Sequence, residues 1–105
     1  MKIRSLKNKK LIDQLFKSKA IVVKNEFRVS RINGNEDPPF FCVSVPKKYF
    51  KRAVDRNKIK RRIKAALNNL ETKVRGNYLV IYVGLDLMNT EKIKDTLNDI
   101  FNLSD

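Results

Sequence analysis

Apolar residues recur along this chain with two different periods, and those periods divide it into elements. Between Asn8 and Lys17, Leu11, Ile12, Leu15 and Phe16 fall at i, i+1, i+4 and i+5, one face of a short amphipathic helix with Asn8 as its N-cap candidate. Ile59, Ile63, Ala66, Leu67 and Leu70 repeat at i, i+4, i+7, i+8 and i+11, which predicts a second helix from about Arg52 to Leu70. Ile93, Leu97, Ile100 and Phe101 form a third stripe behind Asn89 or Thr90 as cap. Elsewhere the pattern is that of strands. Ala20 to Ile32 is rich in β-branched residues, with a bend expected at Lys24-Asn25-Glu26. Within it Phe27, Val29 and Arg31 share one face, and Arg28, Ser30 and Ile32 the other. Asn33 to Pro39 reads as a loop, and Phe40 to Val45 as a strand closed by Pro46. Tyr78 to Val83 is apolar without alternation, as in a strand buried on both faces, and Gly76 marks the turn before it. Residues 1–8 are polar and basic and are expected to form an arm.

The order is helix, strands, strand, helix, strand, helix. It predicts an α/β (α+β) two-layer sandwich with a mixed sheet. The natural first pairing is a hairpin between the strands ending at Ile32 and beginning at Phe40. Strand–helix–strand from Phe40 to Val83 implies a parallel pair with a βαβ crossover, right-handed by the general rule. At 105 residues the chain is expected to be one domain, residues 1–105, large enough for a single core without staples.

Charge changes the picture of the second helix. Ten of the eighteen residues from Lys47 to Lys64 are Lys or Arg, and only Asp55 is acidic. The cations Lys58, Lys60, Arg61, Arg62 and Lys64 avoid the apolar stripe, so a buried face and a basic face share one rigid element. Solvated helix faces usually mix signs, because like charges one turn apart repel. Residues 1–64 hold 20 basic and 5 acidic residues, and residues 65–105 hold 4 and 6. An anionic partner is therefore expected for the first two thirds. A nucleic-acid phosphate backbone fits best, ahead of an anionic membrane or no partner at all.

Other chemistries find little support. There is no histidine, which removes the usual imidazole acid–base and the commonest metal ligand. The single cysteine, Cys42, excludes an internal disulfide, suits a reducing compartment and reads as a small core residue. No apolar run approaches 18 residues, and no apolar segment of a signal peptide follows the basic N-terminus. The carboxylates of the basic region, Asp13, Glu26, Glu36, Asp37 and Asp55, are scattered, so no catalytic residues and no protein-bound metal are expected. Aromatics interleaved with cations suit single-stranded RNA instead, through base stacking and phosphate contacts. Phe16 and Phe27 are the candidate platforms, with Lys17, Arg28, Ser30 and Arg31 nearby. Plain core packing remains the other reading of Phe16.

The run Ala53-Val54-Asp55-Arg56-Asn57-Lys58-Ile59-Lys60-Arg61-Arg62-Ile63-Lys64 closely resembles the signature helix of the bacterial ribonuclease P protein subunit. Ser44-Val45-Pro46-Lys47-Lys48 resembles the segment that precedes it in that family, and Leu15-Phe16-Lys17 resembles the first helix. The likeness covers almost the whole chain. There are departures: Lys58 replaces an arginine and loses its planar fork, Ile12 stands where Phe is frequent, and Lys19 where Gly is. Pro46 stands where Ser is frequent, Tyr49-Phe50-Lys51-Arg52 replaces a shorter link, and the sequence ends at Asp105 without a basic tail.

The resemblance implies a left-handed crossover, against the general rule. It also implies a role: a cytoplasmic protein that joins a large catalytic RNA and helps it remove the 5′ leader of precursor tRNA, with hydrolysis performed by the RNA and its Mg2+ ions. By that resemblance the RNA-docking set is Lys47, Lys48, Arg52, Arg56, Asn57, Lys58, Lys60, Arg61, Arg62 and Lys64. The leader-binding set, in a cleft between the first helix and the sheet, is Ile12, Phe16, Lys17, Phe27, Arg28, Ser30 and Arg31. The competing readings are a small ribosomal or other rRNA-binding protein, and a nuclease acting alone.

Overall fold

The computed structural model describes residues 2–18, 22–24, 26–32, 34–84 and 86–103. In chain order the elements are β1 (Arg4–Ser5), α1 (Lys9–Lys17), β2 (Val22–Lys24), β3 (Phe27–Ile32), β4 (Phe40–Ser44), α2 (Ala53–Asn68), β5 (Asn77–Tyr82) and α3 (Thr90–Leu103). They build one five-stranded mixed sheet in the order β1-β4-β5-β3-β2. The three expected helices are present. Ala20 and Ile21 of the expected strand, Asn25 of the expected bend and Asn33 of the expected loop lie outside the described residues.

Two expectations are corrected. β3 and β4 do not form a hairpin. β5 lies between them, antiparallel to β3 (Phe27 opposite Tyr82 through Ile32 opposite Asn77) and parallel to β4 (Phe40 opposite Asn77 through Ser44 opposite Ile81). The reason is burial: β5 is apolar on both faces, and a central position covers both. The hairpin is instead β2–β3, with Val22 opposite Val29. The parallel β4–β5 pair joined through α2 is the expected βαβ unit.

Residues 1–8 are not a free arm either. Arg4 and Ser5 add a parallel edge strand to β4. The Arg4 N–H donates to the Pro39 carbonyl and the Leu6 N–H to that of Phe41, each at 2.9 Å. The Arg4 guanidinium donates to the Pro38 carbonyl and lies 4.0 Å from the centre of the Phe40 ring.

The main core lies between one sheet face and the α2–α3 layer. Ile59, Ile63, Ala66 and Leu67 of α2 meet Ile93, Leu97, Ile100 and Phe101 of α3 over Phe27, Val29, Phe41, Tyr78, Val80 and Tyr82. This fixes the rotation of α2, because no other face of that helix can be buried without desolvating cations. α1 crosses the opposite sheet face with a smaller cluster, Leu15 against Leu79 and Leu6. Asn8 caps it as expected, its side-chain oxygen accepting from the N–H groups of Lys10 and Leu11. Gly76, at φ 105°, joins the loop after β3 to the start of β5: its N–H donates to the Glu36 carbonyl and its own carbonyl accepts from Phe40.

Candidate nucleic-acid interface

With its stripe buried, α2 turns its cations outward. Arg52, Asn57, Lys58, Arg61 and Lys64 are exposed, as are Lys47 and Lys48 in the segment leading to the helix. Val54, Asn57, Lys60, Arg61 and Lys64 line an open concavity of about 520 Å3. Lys58, Arg61, Arg62, Ala65 and Thr90 line a second of about 240 Å3. Arg61 belongs to both and forms the crest between them. Among the described residues the ion pairs are Lys24–Asp99, Lys73–Asp37 and Arg75–Asp37, none of which involves a cation from Lys47 to Lys64. Among the described residues, then, no carboxylate is ion-paired with a cation of this surface.

Two members of the expected docking set are tied to the backbone. Arg56 Nη1 donates to the carbonyls of Phe50 and Lys51, both at 2.8 Å, and so fixes the link that enters α2. Arg62 Nη1 donates to the Met88 carbonyl at 2.8 Å, joining α2 to the segment before α3. Each keeps its charge and its remaining donors, but each also holds the fold. Sequence spacing carries no sign of these bonds, because their acceptors are main-chain groups.

The second surface is the sheet face under α1. Strand register places side chains on it in three rows. Val23, Arg28, Ile81 and Ser44 make one, Ser30, Leu79 and Cys42 the next, and Ile32, Asn77, Phe40 and Arg4 the third. α1 packs over β3 and β5. Cys42 and Ser44 on the neighbouring β4 stay half-exposed. Ile12 is half-buried against the α1 cluster, Lys17 is exposed, and Phe16 is 53% exposed, so its ring has an accessible face.

The expected leader-binding set is divided by the sheet. Ile12, Phe16, Lys17, Arg28 and Ser30 lie on the α1 side, but Ser30 is only 5% exposed and is buried under α1 rather than open to a ligand. Phe27 does not lie on that side: it is 0% exposed, packed edge-on to Tyr82 beneath the α2–α3 layer, with no ring face for a base to stack on. Arg31 is also on the α2–α3 side, its guanidinium 5.6 Å from the centre of the Tyr78 ring. Both assignments are corrected for one reason. Phe27 and Arg31 have the opposite strand parity to Arg28 and Ser30, and the register with β5 turns that parity into the main core.

Cys42, read from the sequence as a small core residue, packs against the α1 cluster but stays partly exposed beside Ser44. Burial pushes the Cys42 thiol above its ordinary pKa, while the charges of Lys60 and Lys64 pull it down more weakly. α2 packs against β4, whose Phe41 and Val43 face the α2–α3 layer while Phe40, Cys42 and Ser44 face the α1 side.

A family model for ribonuclease P matches residues 1–103 of this sequence. The chain belongs to the ribonuclease P family. Its structure resembles that of the Staphylococcus aureus ribonuclease P protein, with a TM-score of 0.76 and 25% identity over 95% of this chain and 94% of that one. A second S. aureus ribonuclease P protein structure, of a mutant described as defective in mRNA degradation activity, matches at 0.76 and 23% over 95% and 86%. A third, also from S. aureus, matches at 0.72 and 25% over 94% and 86%. The curated proteins hold no match. These likenesses are to the protein component of bacterial ribonuclease P, and the mixed five-stranded sheet with three helices is the fold they share. Among the described residues of this ribonuclease P protein, no three His, Cys, Asp or Glu side chains gather as a metal site. No described helix is long and apolar enough to cross a membrane.

Proposed function

We propose that this ribonuclease P protein docks on the catalytic RNA through the exposed face of α2 and holds the 5′ leader of precursor tRNA on the open sheet face beside α1. The observation that carries this reading is the basic face of α2, no cation of which is ion-paired among the described residues, on a helix that packs against β4. Lys60, Arg61 and Lys64 line the open concavity on that face. A leader laid along β4 is then held by the same rigid element that grips the RNA, and Phe16 offers a stacking face beside it. Cations fixed on a helix lose less freedom on binding than cations on a flexible arm.

In this reading the protein performs no chemistry. It increases the occupancy and alignment of the substrate, and the RNA with its Mg2+ ions cleaves the phosphodiester in the cytoplasm. Among the described residues no carboxylates gather as a metal site, and no step is assigned to a protein-bound metal. The test is cleavage of precursor tRNA by a bacterial ribonuclease P RNA at low Mg2+, with and without this protein. The expected result is strong enhancement by the protein, and no cleavage by the protein alone. Absence of enhancement, or RNA-free metal-dependent cleavage that survives contamination controls, contradicts the proposal.

A further inference from the structure

Beside the N-terminal end of α1 lies a cavity of about 370 Å3 that the docking and stacking surfaces leave unused. Leu6, Leu11 and Phe40 wall it, which gives it apolar sides. Glu36 and Asn77 also line it and supply its fixed polar groups. Asn77 is only 5% exposed, and its side-chain Nδ2 donates to Glu36 Oε2 at 2.6 Å. That bond holds the carboxylate in place. Among the described residues it is the side-chain hydrogen bond given to that carboxylate, which has roughly four acceptor sites. Lys7 is an exposed cation on the same lining.

We infer that this cavity takes an unpaired guanine base of the RNA leader. The argument is one of complementarity, and it rests on the leader-binding reading above. Apolar walls suit the faces of a flat ring, and a fixed carboxylate requires N–H donors at the ring's edge. Guanine alone among the four RNA bases presents two adjacent donors, N1–H and the N2 amino group, on its pairing edge. Adenine and cytosine set one amino group beside an acceptor, and uracil sets one N–H between two carbonyls, so each would bring an acceptor against Glu36. A carboxylate or phosphate ligand would meet the same repulsion. The phosphate of the bound nucleotide belongs instead at the mouth, toward Lys7. Position supports the same occupant. Phe40, Cys42 and Ser44 follow one another on the α1 face of β4, so the cavity lies about 13 Å along the strand from Ser44. A single strand laid along this face of β4 leads toward it.

Two measurements test this on the full chain. In the first, protein amide NMR spectra are titrated separately with the 5′-monophosphates of guanosine, adenosine, cytidine and uridine. Guanosine monophosphate should shift Leu6, Leu11, Phe40 and Asn77, with about tenfold tighter binding than the other three, as a two-donor base contact ordinarily gives. Glu36→Gln retains an acceptor for Asn77 but places an amide donor against guanine's donors, and should remove the preference while leaving the spectrum of the free protein folded. Equal shifts from all four nucleotides, or a guanosine preference that survives Glu36→Gln, overturn the inference.

In the second, a single guanine is moved along an otherwise adenine leader of precursor tRNA bound to the reconstituted RNA–protein enzyme. One position should bind about tenfold more tightly than the rest, and Glu36→Gln should abolish the gain. A leader preference with no guanine dependence sinks the cavity assignment alone. No leader preference at all sinks both this inference and the function on which it rests.

Discussion

Phe16 and Phe27 carry the same side chain, and their surroundings give them opposite roles. Phe16 is 53% exposed and Phe27 is 0% exposed. Phe16→Ala should therefore cost about 1 kcal/mol of stability or less. The affinity advantage of precursor over mature tRNA should fall by about 1–3 kcal/mol, the worth of one stacked base. Phe27→Ala should destabilise the fold by about 3–5 kcal/mol through a core cavity, and weaken both RNA interactions together. Thermal melting followed by substrate binding separates the two cases. A Phe16→Ala protein that melts normally and keeps its full preference for precursor tRNA would move leader recognition elsewhere on the α1 face, toward the exposed Arg28. At this scale the sequence was only half legible. Strand alternation correctly separated Phe27 and Arg31 from Arg28 and Ser30, but which parity meets the main core is decided by β5, whose paired residues lie 45 to 55 positions further along.

The elements most legible in sequence are those whose burial is periodic. The stripes of α2 and α3 repeat along one helix face each, and the structure buries those faces; that of α1 is buried at Leu15, half-buried at Leu11 and Ile12, and exposed at Phe16. β1 was invisible for the converse reason: it is two residues long with both side chains exposed, and its evidence is main-chain hydrogen bonding to β4. Pairing order was also hidden, because an apolar strand does not encode its neighbour. α2 gives the sharpest test at this scale, since its two faces should fail separately. Ile63 is 0% exposed in the core, so Ile63→Ala should cost about 2–4 kcal/mol of stability. Arg61 forms the outer crest, so Arg61→Ala should melt normally and lose about 1–3 kcal/mol of docking on the catalytic RNA, equally for substrates with and without a leader. An Arg61→Ala protein that docks normally would remove the crest from the interface. Arg56 and Arg62 are poorer probes, because their backbone hydrogen bonds mix fold and binding.

At the scale of the whole molecule, charge and architecture agree. The formal net charge is +13, and the excess sits in the first two thirds of the chain. The cations of α2 and most of the α1-side sheet face come from that region, whereas α3 and β5 supply chiefly core. Binding to the catalytic RNA should accordingly be steeply salt-dependent. If about six phosphates are neutralised, a log–log plot of affinity against salt should have a slope of roughly −4 to −5.5. A slope near zero would contradict docking through the basic helix.

The central claim is that one rigid body grips the catalytic RNA and presents the leader to it. The most direct measurement is the ratio of affinities for precursor and mature tRNA, taken for the catalytic RNA alone and again for the RNA with this protein bound, at one salt and Mg2+ concentration. The account predicts that the protein raises this ratio, and that Phe16→Ala removes part of the rise while the protein remains bound to the RNA. A ratio that is the same with and without the protein would contradict it.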